Sequence, residues 1–402
     1  MTAISTAIPV NKARRINSAV AIAIVFVVHA ALTTGWVPRI PVVQQHLRLD
    51  DTRLGLALVG APLSEVVTVL FAGRLIRRVG SRRALLWLLP GFCLTAPLPG
   101  VANSGLTLFV SLVIWGGLGG SVGVAMNAKA VEVEAQSGRP ILSRLHGLWS
   151  LGAFLGAGLG TAAGAAGMAV WMQLAAMGVL GGASSHLPMR GLPMRGLPAS
   201  VAESTRSKGF ARPRLLLAAL ALVAFCSLFD EGSAETWSAP FVAESARVRI
   251  GVAGIGYVAY ALSMCSGRLA GDRIVRRFGP VVTIRSLVSL AALGFGTALL
   301  LPGLISDLLG FALLGFGFSA VIPLVFRASS RVPGTLPGSA LAAVSSAGSL
   351  GLVAGPPVIG ALATMSALRS ALGLIVVNAL VIVAAAGVTR LGGSADLGPT
   401  AD

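Results

Sequence analysis

The sequence predicts an all-α integral membrane protein whose twelve transmembrane helices form two six-helix bundles. First, 55% of the residues are hydrophobic, 11% are charged and the mean hydropathy is +0.85, which lies far outside soluble composition. Second, the apolar runs are long enough to cross a hydrocarbon core about 30 Å thick, whereas a membrane barrel would show short alternating segments. Third, short motifs recur between the two halves of the chain.

Apolar runs bounded by charge, Gly or Pro define the predicted spans in chain order. The first half contains 17–37, 53–73, 84–102, 106–129, 143–164 and 168–186. The second half contains 214–235, 251–270, 281–301, 304–327, 339–363 and 368–389. We therefore expect an N-terminal bundle over 1–186 and a C-terminal bundle over 214–390.

The remaining segments are predicted to be non-membrane. Residues 187–213 contain the repeat LPMRGLPMRGLP and have no apolar period, which is typical of a linker. Residues 391–402 form a short polar tail. The basic residues before the first span, Lys12 among them, precede about 20 apolar residues, a run longer than a signal-peptide core. An uncleaved first span is expected, with cleavage near Ala30 as the minor alternative.

The 31 basic residues set the predicted topology, because they fall in short clusters between spans rather than in one patch. With the N-terminus inside, 25 of them lie in inside segments and six in outside segments. Lys and Arg remain on the cytoplasmic side, so both termini and the linker are predicted to be cytoplasmic. Arg outnumbers Lys 28 to 3, which suggests a bacterial source and hence the bacterial plasma membrane. A nucleic-acid partner is not expected.

Motifs repeat at a fixed distance along the chain. RRVG at 77–80 recurs as RRFG at 276–279, and SLGAFLG at 150–156 recurs as SLGLVAG at 349–355, both at a shift of 199 residues. Gly116 and Gly315 keep the same shift. Repetition of this kind predicts two copies of one bundle related by an axis along the membrane normal.

An enzyme is the contrasting functional class, and the sequence disfavours it. An HExxH motif is missing, the four histidines are scattered, and no metal or cofactor site is expected. The three cysteines, Cys93, Cys226 and Cys265, lie in apolar runs and are interpreted as packing residues.

Two Arg-rich loops carry a resemblance to a known family. AGRLIRRVGSRR at 72–83 and SGRLAGDRIVRRFGP at 266–280 are similar to the G-x-L-a-D-R-x-G-R-R loop of the major facilitator superfamily, although Arg77 stands where the family usually has Asp. Acids at neighbouring helix ends are expected to pair with these loops on the cytoplasmic side, Arg82 or Arg83 with Glu132 or Glu134. The other interpretation, preferred for most of these arginines, is that they only set orientation and bind anionic lipid. The candidate gating residues are Gly73, Arg78, Gly80, Arg83, Glu132, Gly267, Asp272, Arg273 and Gly279.

Within that superfamily, stretches such as EGSAETWSAP (231–240) and AGPPVIG (354–360) resemble a poorly characterised bacterial group that is distantly similar to fucose permease-type sugar–proton symporters. The resemblance implies a monomeric secondary transporter that moves a small polar solute by alternating access, coupled to protons. Proton-driven efflux of a drug or secondary metabolite is the alternative. A transporter-like membrane sensor is the alternative from another class.

Glu65 is the first candidate for proton coupling. It stands 13 residues into its predicted span, within about 5 Å of the midplane at 1.5 Å per residue. An ionised carboxylate at mid-bilayer costs about 2.5–3.5 kcal/mol, so it normally faces a cavity or a partner. A static partner for a neighbouring helix is the other interpretation.

Three further acids follow the seventh apolar run. Glu231 and Glu235 are four residues apart and share a helix face, while Asp230 turns about 100° away. Asp230 and Glu231 are coupling candidates, with Gly232 able to unwind the helix beside a cavity. Glu235 is instead assigned to the wet headgroup zone.

Polar and aromatic residues in the first span predict the substrate cavity. His29, Thr33 and Trp36 follow helical spacing, and together offer an imidazole, a hydroxyl and a stacking surface. Asn127 and His146 are further cavity candidates, whereas Lys129 is expected to extend to the headgroups.

Overall fold

The structure is a computed structural model that describes residues 12–137, 141–190, 192, 215–333, 335 and 337–392. Within these residues every regular element is an α-helix or a short 3-10 helix. This confirms the predicted all-α class.

The N-terminal half contains eight α-helices, because a short helix, α2, follows the first predicted span and the second predicted span is divided. A 3-10 turn, Val37–Arg39, separates α1 from α2, and a one-residue break at Val59 separates α3 from α4. The helices are α1 (Lys12–Trp36), α2 (Ile40–Leu47), α3 (Asp51–Leu58), α4 (Gly60–Val79), α5 (Ser81–Thr95), α6 (Gly105–Ser137), α7 (Leu142–Ala165) and α8 (Val170–Arg190).

The C-terminal half contains seven α-helices in the described residues. These are α9 (Leu215–Ser245), α10 (Ile255–Leu300), α11 (Leu304–Phe318), α12 (Val321–Ser329), α13 (Pro337–Met365), α14 (Leu368–Ala371) and α15 (Gly373–Ala385). A 3-10 helix, Ala386–Gly392, follows α15. Helices α11 and α12 together make one span, as do α14 and α15 with this last turn.

Ten helical stretches in the described part of the chain are long and apolar enough to cross a membrane. One of them, Ile250–Leu300, holds the predicted eighth and ninth spans, because α10 is kinked at Gly279 with φ 74° and ψ 165°. The sixth predicted span corresponds to α8, which is helical but is not among the ten. The order is consistent with twelve spans.

The seventh span is longer than its sequence predicts. Helix α9 continues ten residues beyond the predicted end at 235, and it passes Gly232 and Pro240 without interruption. The expected unwinding at Gly232 was therefore wrong. As a result the acids at 230–235 lie inside the helix rather than at its end.

Two predicted non-membrane segments fall largely outside the described residues. The first four residues of the predicted linker, 187–190, belong to α8, and Leu192 alone is described among the others up to residue 214. Residues 391–392 of the predicted tail close the last 3-10 helix, and 393–402 lie outside the described part.

The two halves use matching helix contacts. A Cβ atom on Gly116 would lie 2.7 Å from the carbonyl oxygen of Ala61, and a Cβ on Gly315 would overlap the carbonyl oxygen of Tyr260. Ala61 and Tyr260 are also 199 residues apart, so the same α4–α6 contact recurs between α10 and α11. Gly80 (φ 85°) and Gly279 (φ 74°) likewise share a positive φ at equivalent positions, which L side chains rarely adopt.

One end of the molecule, hereafter the sealed end, is closed by reciprocal contacts between the halves. A Cβ on Gly55 of α3 would lie 2.6 Å from the carbonyl oxygen of Pro356 in α13, and a Cβ on Gly254 would lie 2.6 Å from Thr161 Oγ1 in α7. Gly55 and Gly254 are again 199 residues apart. The Thr52 hydroxyl donates to Thr364 Oγ1 over 2.8 Å across the same interface.

At the opposite end, the expected arginine pairs are not formed. Glu132 instead accepts hydrogen bonds from Ser81 Oγ and Lys129 Nζ, each at 2.8 Å. Arg82 donates to the carbonyl oxygen of Arg190, and Glu134 accepts from the backbone N–H groups at 141 and 142. Lys129 is fully buried, so the expectation that it reaches the headgroups was also wrong.

The remaining gating candidates lie on this same end. Four of them are exposed and form no ion pair within the described residues: Arg78, Arg83, Asp272 and Arg273. Gly267 packs its backbone against Phe316 of α11 and against Ser319, which directly follows that helix, so it serves the contact between α10 and α11. A Cβ on Gly73 would lie 3.5 Å from Arg77 Nη1, in ordinary contact.

Candidate functional site

A cavity of about 270 Å³ lies between the two halves of the chain. Helices α1, α3, α4, α5, α6 and α7 line it on one side, and α9, α10 and α13 line it on the other. Its charged and aromatic lining residues are His29, Trp36, Glu65, Phe92, Trp115, Trp149, Glu231, Glu235, Tyr257, Tyr260 and Arg268.

Three carboxyl groups line this cavity from opposite walls. Glu65 of α4 is solvent-exposed although it lies in the middle of its helix, and Glu231 and Glu235 of α9 are half-buried. Glu235 is close enough to both other carboxyls to interact with their charges. Within the described residues Glu65 forms no ion pair. Its predicted position facing a cavity agrees with this geometry.

Arg268 links the two walls. Its Nη2 atom lies 3.7 Å from Glu231 Oε1, and its Nη1 atom donates to Ser150 Oγ of α7 over 3.1 Å. Arg268 falls at the end of the predicted span 251–270 and also within the Arg-rich loop motif at 266–280, where it counts as a cytoplasmic residue. In the structure it lies on α10, where the helix borders the cavity.

Glycines of α6 allow Glu65 to lie close to that helix. A Cβ on Gly120 would lie 2.8 Å from Glu65 Cγ, and a Cβ on Gly117 would lie 3.3 Å from Thr68 Cγ2. Any larger residue at Gly120 would therefore displace the Glu65 side chain. The GGLGG stretch of α6 thus positions this carboxyl.

His29 is held by two hydrogen bonds and one ring contact. Its Nε2 lies 3.0 Å from the Gly119 carbonyl oxygen, and its Nδ1 accepts from Trp149 Nε1 over 3.3 Å. This network assigns the neutral tautomer with the proton on Nε2. The ring stacks on Phe92 at 5.3 Å, and Phe92 stacks on Trp115 at 5.5 Å. His29 therefore orients the aromatic wall of the cavity.

The other first-span candidates also reach the cavity. Thr33 lines it while its hydroxyl donates to the His29 carbonyl oxygen over 2.9 Å. Trp36 lines it and is buried. The helical spacing of His29, Thr33 and Trp36 therefore identified the face of α1 that lines the cavity.

Three predicted site residues do not line the cavity. Asp230 is 1% exposed and accepts a hydrogen bond of 2.8 Å from Asn378 Nδ2 in α15. Asn127 donates to the Gly123 carbonyl oxygen over 2.9 Å within its own helix. The exposed His146 ring makes an edge contact with Phe26 at 5.6 Å.

Sequence reasoning missed several cavity residues, and a signal existed for some of them. Glu235 was assigned to the headgroups, but the following TWSAPFVA is apolar enough to extend the helix. Tyr257 and Tyr260 are the two tyrosines of the chain, and both lie in a predicted span. Trp115 and Trp149 carried no periodic signal of their own.

The comparisons with known proteins agree with this architecture. The family model of the Major Facilitator Superfamily matches residues 22–356. The chain belongs to this superfamily. An uncharacterized MFS-type transporter of Yersinia pestis is 31% identical over 360 residues, which cover 88% of this chain and 91% of that protein. Membrane protein MosC of Rhizobium meliloti is 29% identical over 384 residues, covering 92% of this chain and 89% of that one.

Solved structures share the fold. A crystal structure of a mutant of the nucleoside transporter NupG superposes with a TM-score of 0.75 at 12% identity, covering 92% of this chain and 99% of that one. A bacterial homolog of the human lysosomal transporter Spinster, in an inward-facing and unoccupied conformation, gives a TM-score of 0.71 at 15% identity, covering 95% and 98%. The predicted major facilitator fold is confirmed, and the protein is a multi-pass membrane transporter. Membership of this superfamily supports secondary transport as its function.

Proposed function

We propose that this member of the superfamily is a proton-coupled secondary transporter that moves a small polar solute by alternating access. One observation carries the proposal: the cavity between the halves contains a solvent-exposed carboxyl, Glu65, with no ion-pair partner in the described residues. A carboxyl so deep in a membrane protein usually serves a solute or proton pathway.

The sealed end supports an alternating-access mechanism. Its contacts are paired about the internal repeat, with α3 against α13 and α7 against the start of α10. Two bundles that rock about such reciprocal contacts can open one end while closing the other.

The distribution of basic residues supports a sidedness for this state. The sealed end holds the connections near residues 48–50, 166–169 and 246–254, which belong to the segments poor in Lys and Arg. By the positive-inside rule this end faces away from the cytoplasm, and both termini face the cytoplasm. The structure then corresponds to a state whose cavity is closed to the outside.

Glu65 is the proposed proton carrier of this cycle. A low-dielectric environment favours the neutral carboxyl, whereas water or a cationic partner favours the carboxylate. Its environment changes as the cavity opens to each side, so proton binding can be coupled to the position of the bundles. The titratable and charged groups that share the cavity are His29, Glu231, Glu235, Tyr257, Tyr260 and Arg268.

The test is transport by the purified full-length protein in liposomes. A panel of sugars, nucleosides, amino acids and amines is offered under an imposed pH gradient, and accumulation is measured by mass spectrometry in both directions. At least one solute is expected to accumulate only with the gradient. Glu65→Gln is expected to remove driven accumulation and to retain exchange of that solute for itself, because exchange needs no net proton movement.

Glu244→Gln is the matched control. Glu244 lies on α9 like the cavity acids Glu231 and Glu235, but it is exposed and outside the cavity lining. This variant should accumulate the solute as the wild type does. Gradient-driven accumulation that persists unchanged in Glu65→Gln would contradict the coupling role.

A further inference from the structure

The cavity has an excess of acidic side chains. Arg268 pairs with Glu231, which leaves Glu65 and Glu235 without a basic partner in the described residues. His29 adds no positive charge, since both of its ring nitrogens are engaged as in the neutral tautomer. Acidic groups enclosed by low-dielectric walls focus a negative potential, which concentrates cations.

Aromatic rings on both walls complement that charge. On the N-terminal side Phe92 and Trp115 stack at 5.5 Å with an interplanar angle of 8°. On the C-terminal side Tyr257 and Tyr260 stack at 5.8 Å with an angle of 22°. The faces of such rings attract ammonium groups, so they add to the carboxyls in favouring a cation.

Two lining residues carry polar atoms that lack a hydrogen-bond partner. Trp115 is 3% exposed and Tyr260 is 4% exposed, and neither Trp115 Nε1 nor Tyr260 Oη is bonded within the described part of the chain. Trp Nε1 is a donor only, and a Tyr hydroxyl can donate as well. Buried donors normally have a hydrogen-bond partner, so an acceptor oxygen on a bound molecule would supply the partner that both groups lack.

We propose that the transported solute is a small organic amine that also carries a hydroxyl or another acceptor oxygen. The proposal rests on the proposed function, because it uses the same cavity. Glu65 and Glu235 bind the ammonium group from opposite walls, while Trp115 and Tyr260 donate to the oxygen. A cavity of about 270 Å³ lies just below the usual range of ligand pockets, about 300–1,000 Å³, which favours a small molecule.

Protons and the amine compete in this arrangement. A carboxyl that holds a proton has no charge to offer an ammonium group, so amine binding weakens as pH falls and releases protons. The groups facing these carboxyls are His29, Glu231, Tyr257, Tyr260 and Arg268. Exchange of amine for protons follows directly from sharing the same carboxyls.

Matched pairs of small molecules test the proposal on the detergent-purified full-length protein. The pairs are N-methylglucamine and sorbitol, ethanolamine and ethylene glycol, and choline and 3,3-dimethylbutan-1-ol, with glucuronate as an anion. Thermal unfolding and titration calorimetry are measured near pH 8 and near pH 6. At least one amine should raise the melting temperature and bind about tenfold or more tightly than its neutral analogue, more so near pH 8.

Variants separate binding from folding. Glu65→Gln and Glu235→Gln should each weaken the amine by about tenfold, and Glu244→Gln should not change it. If a Glu variant fails to fold, Tyr260→Phe serves instead: it should reduce the preference for ethanolamine over ethylamine, because it removes the donor for the oxygen.

Two results would overturn the proposal: a neutral or anionic member binding as tightly as its amine, or no amine raising the melting temperature. The proposed function fails separately. A neutral sugar driven by the pH gradient would remove the amine assignment and keep proton coupling. An amine whose binding weakens in Glu65→Gln, but whose flux ignores the pH gradient, would keep the amine assignment and remove proton coupling.

Discussion

The two halves of the chain share a packing framework but present different chemistry to the cavity. Gly116 and Gly315 make equivalent helix contacts, and Gly80 and Gly279 share an unusual backbone conformation. The residues that line the cavity from the equivalent helices do not match. Leu58, Ala61 and Glu65 on one side correspond, at the shift of 199, to Tyr257, Tyr260 and Met264 on the other.

This difference shows that framework and specificity are separable within one duplicated fold. At a helix crossing the neighbouring backbone leaves no room for a side chain, so glycine is required at the equivalent position in both halves. A cavity residue is constrained only by the solute and the proton, and a single asymmetric solute does not contact two walls alike. The acid is at Glu65 in α4, whereas in α10 the equivalent position is the apolar Met264.

The largest expected effect tests the shared framework. Gly116→Ala and Gly315→Ala should both destabilise the protein, because each Cβ would overlap a backbone carbonyl of the neighbouring helix. Overpacking of this kind costs about 1–3 kcal/mol. Thermal unfolding of the purified protein and the yield of monodisperse material measure the loss.

Gly123→Ala and Gly271→Ala are the matched controls for these glycines. Both positions are helical, and a Cβ there would meet nothing within 4 Å. These variants should be as stable as the wild type or slightly more stable. If only one of the two crossing glycines proves sensitive, the halves do not share their framework.

A smaller effect is expected at the sealed end. Gly55→Ala and Gly254→Ala should each push the halves apart there, because their Cβ atoms would collide with Pro356 and Pro38. A shift of about tenfold in the population of the open form corresponds to about 1.4 kcal/mol. The readout is maleimide labelling of a cysteine introduced at Leu58, which is 3% exposed and lines the cavity one helical turn from Gly55, after replacement of the three free cysteines.

Both glycine variants should raise labelling of that cysteine to a similar extent, since the contacts are reciprocal. Gly373→Ala serves as the control, because a Cβ there would meet nothing within 4 Å. Faster labelling in one variant alone would show that the sealed end is not closed symmetrically.

The smallest effect on transport is expected from Asp230→Asn. Asp230 is buried against Asn378 outside the cavity, so an amide at this site can keep a hydrogen bond to α15. Gradient-driven accumulation of the solute should remain within about twofold of the wild type. The melting temperature should change modestly, because one hydrogen bond contributes about 0.5–1.5 kcal/mol to stability. If Asp230→Asn instead lost gradient-driven accumulation as Glu65→Gln is expected to, Asp230 would take part in proton coupling.

Local patterns were sufficient to predict the helices and the first acid. The length of the apolar runs predicted the all-α membrane class. The mid-span position of Glu65 predicted a carboxyl that faces a cavity, and Glu65 lines one. The spacing of His29, Thr33 and Trp36 gave the lining face of α1.

The rest depended on long-range contacts that one sequence does not encode locally. Helix α9 continues past Gly232 and Pro240 because it packs against neighbouring helices, so Glu235 was placed in the wrong environment. Arg268 looked like a loop residue because its motif is usually read with the loop. Glu132 was expected to pair with Arg82 or Arg83, but it pairs with Lys129, which lies on the same helix.

The central claim is that one half supplies the coupling carboxyl, and a comparison of Glu65→Gln with Met264→Gln tests it most directly. Both variants place a glutamine at equivalent positions of the cavity wall, and both are measured for gradient-driven accumulation relative to exchange in the same liposomes. The account predicts that Glu65→Gln loses driven accumulation and retains exchange, while Met264→Gln keeps both. Equal loss in the two variants, or driven accumulation that survives in Glu65→Gln, would contradict it.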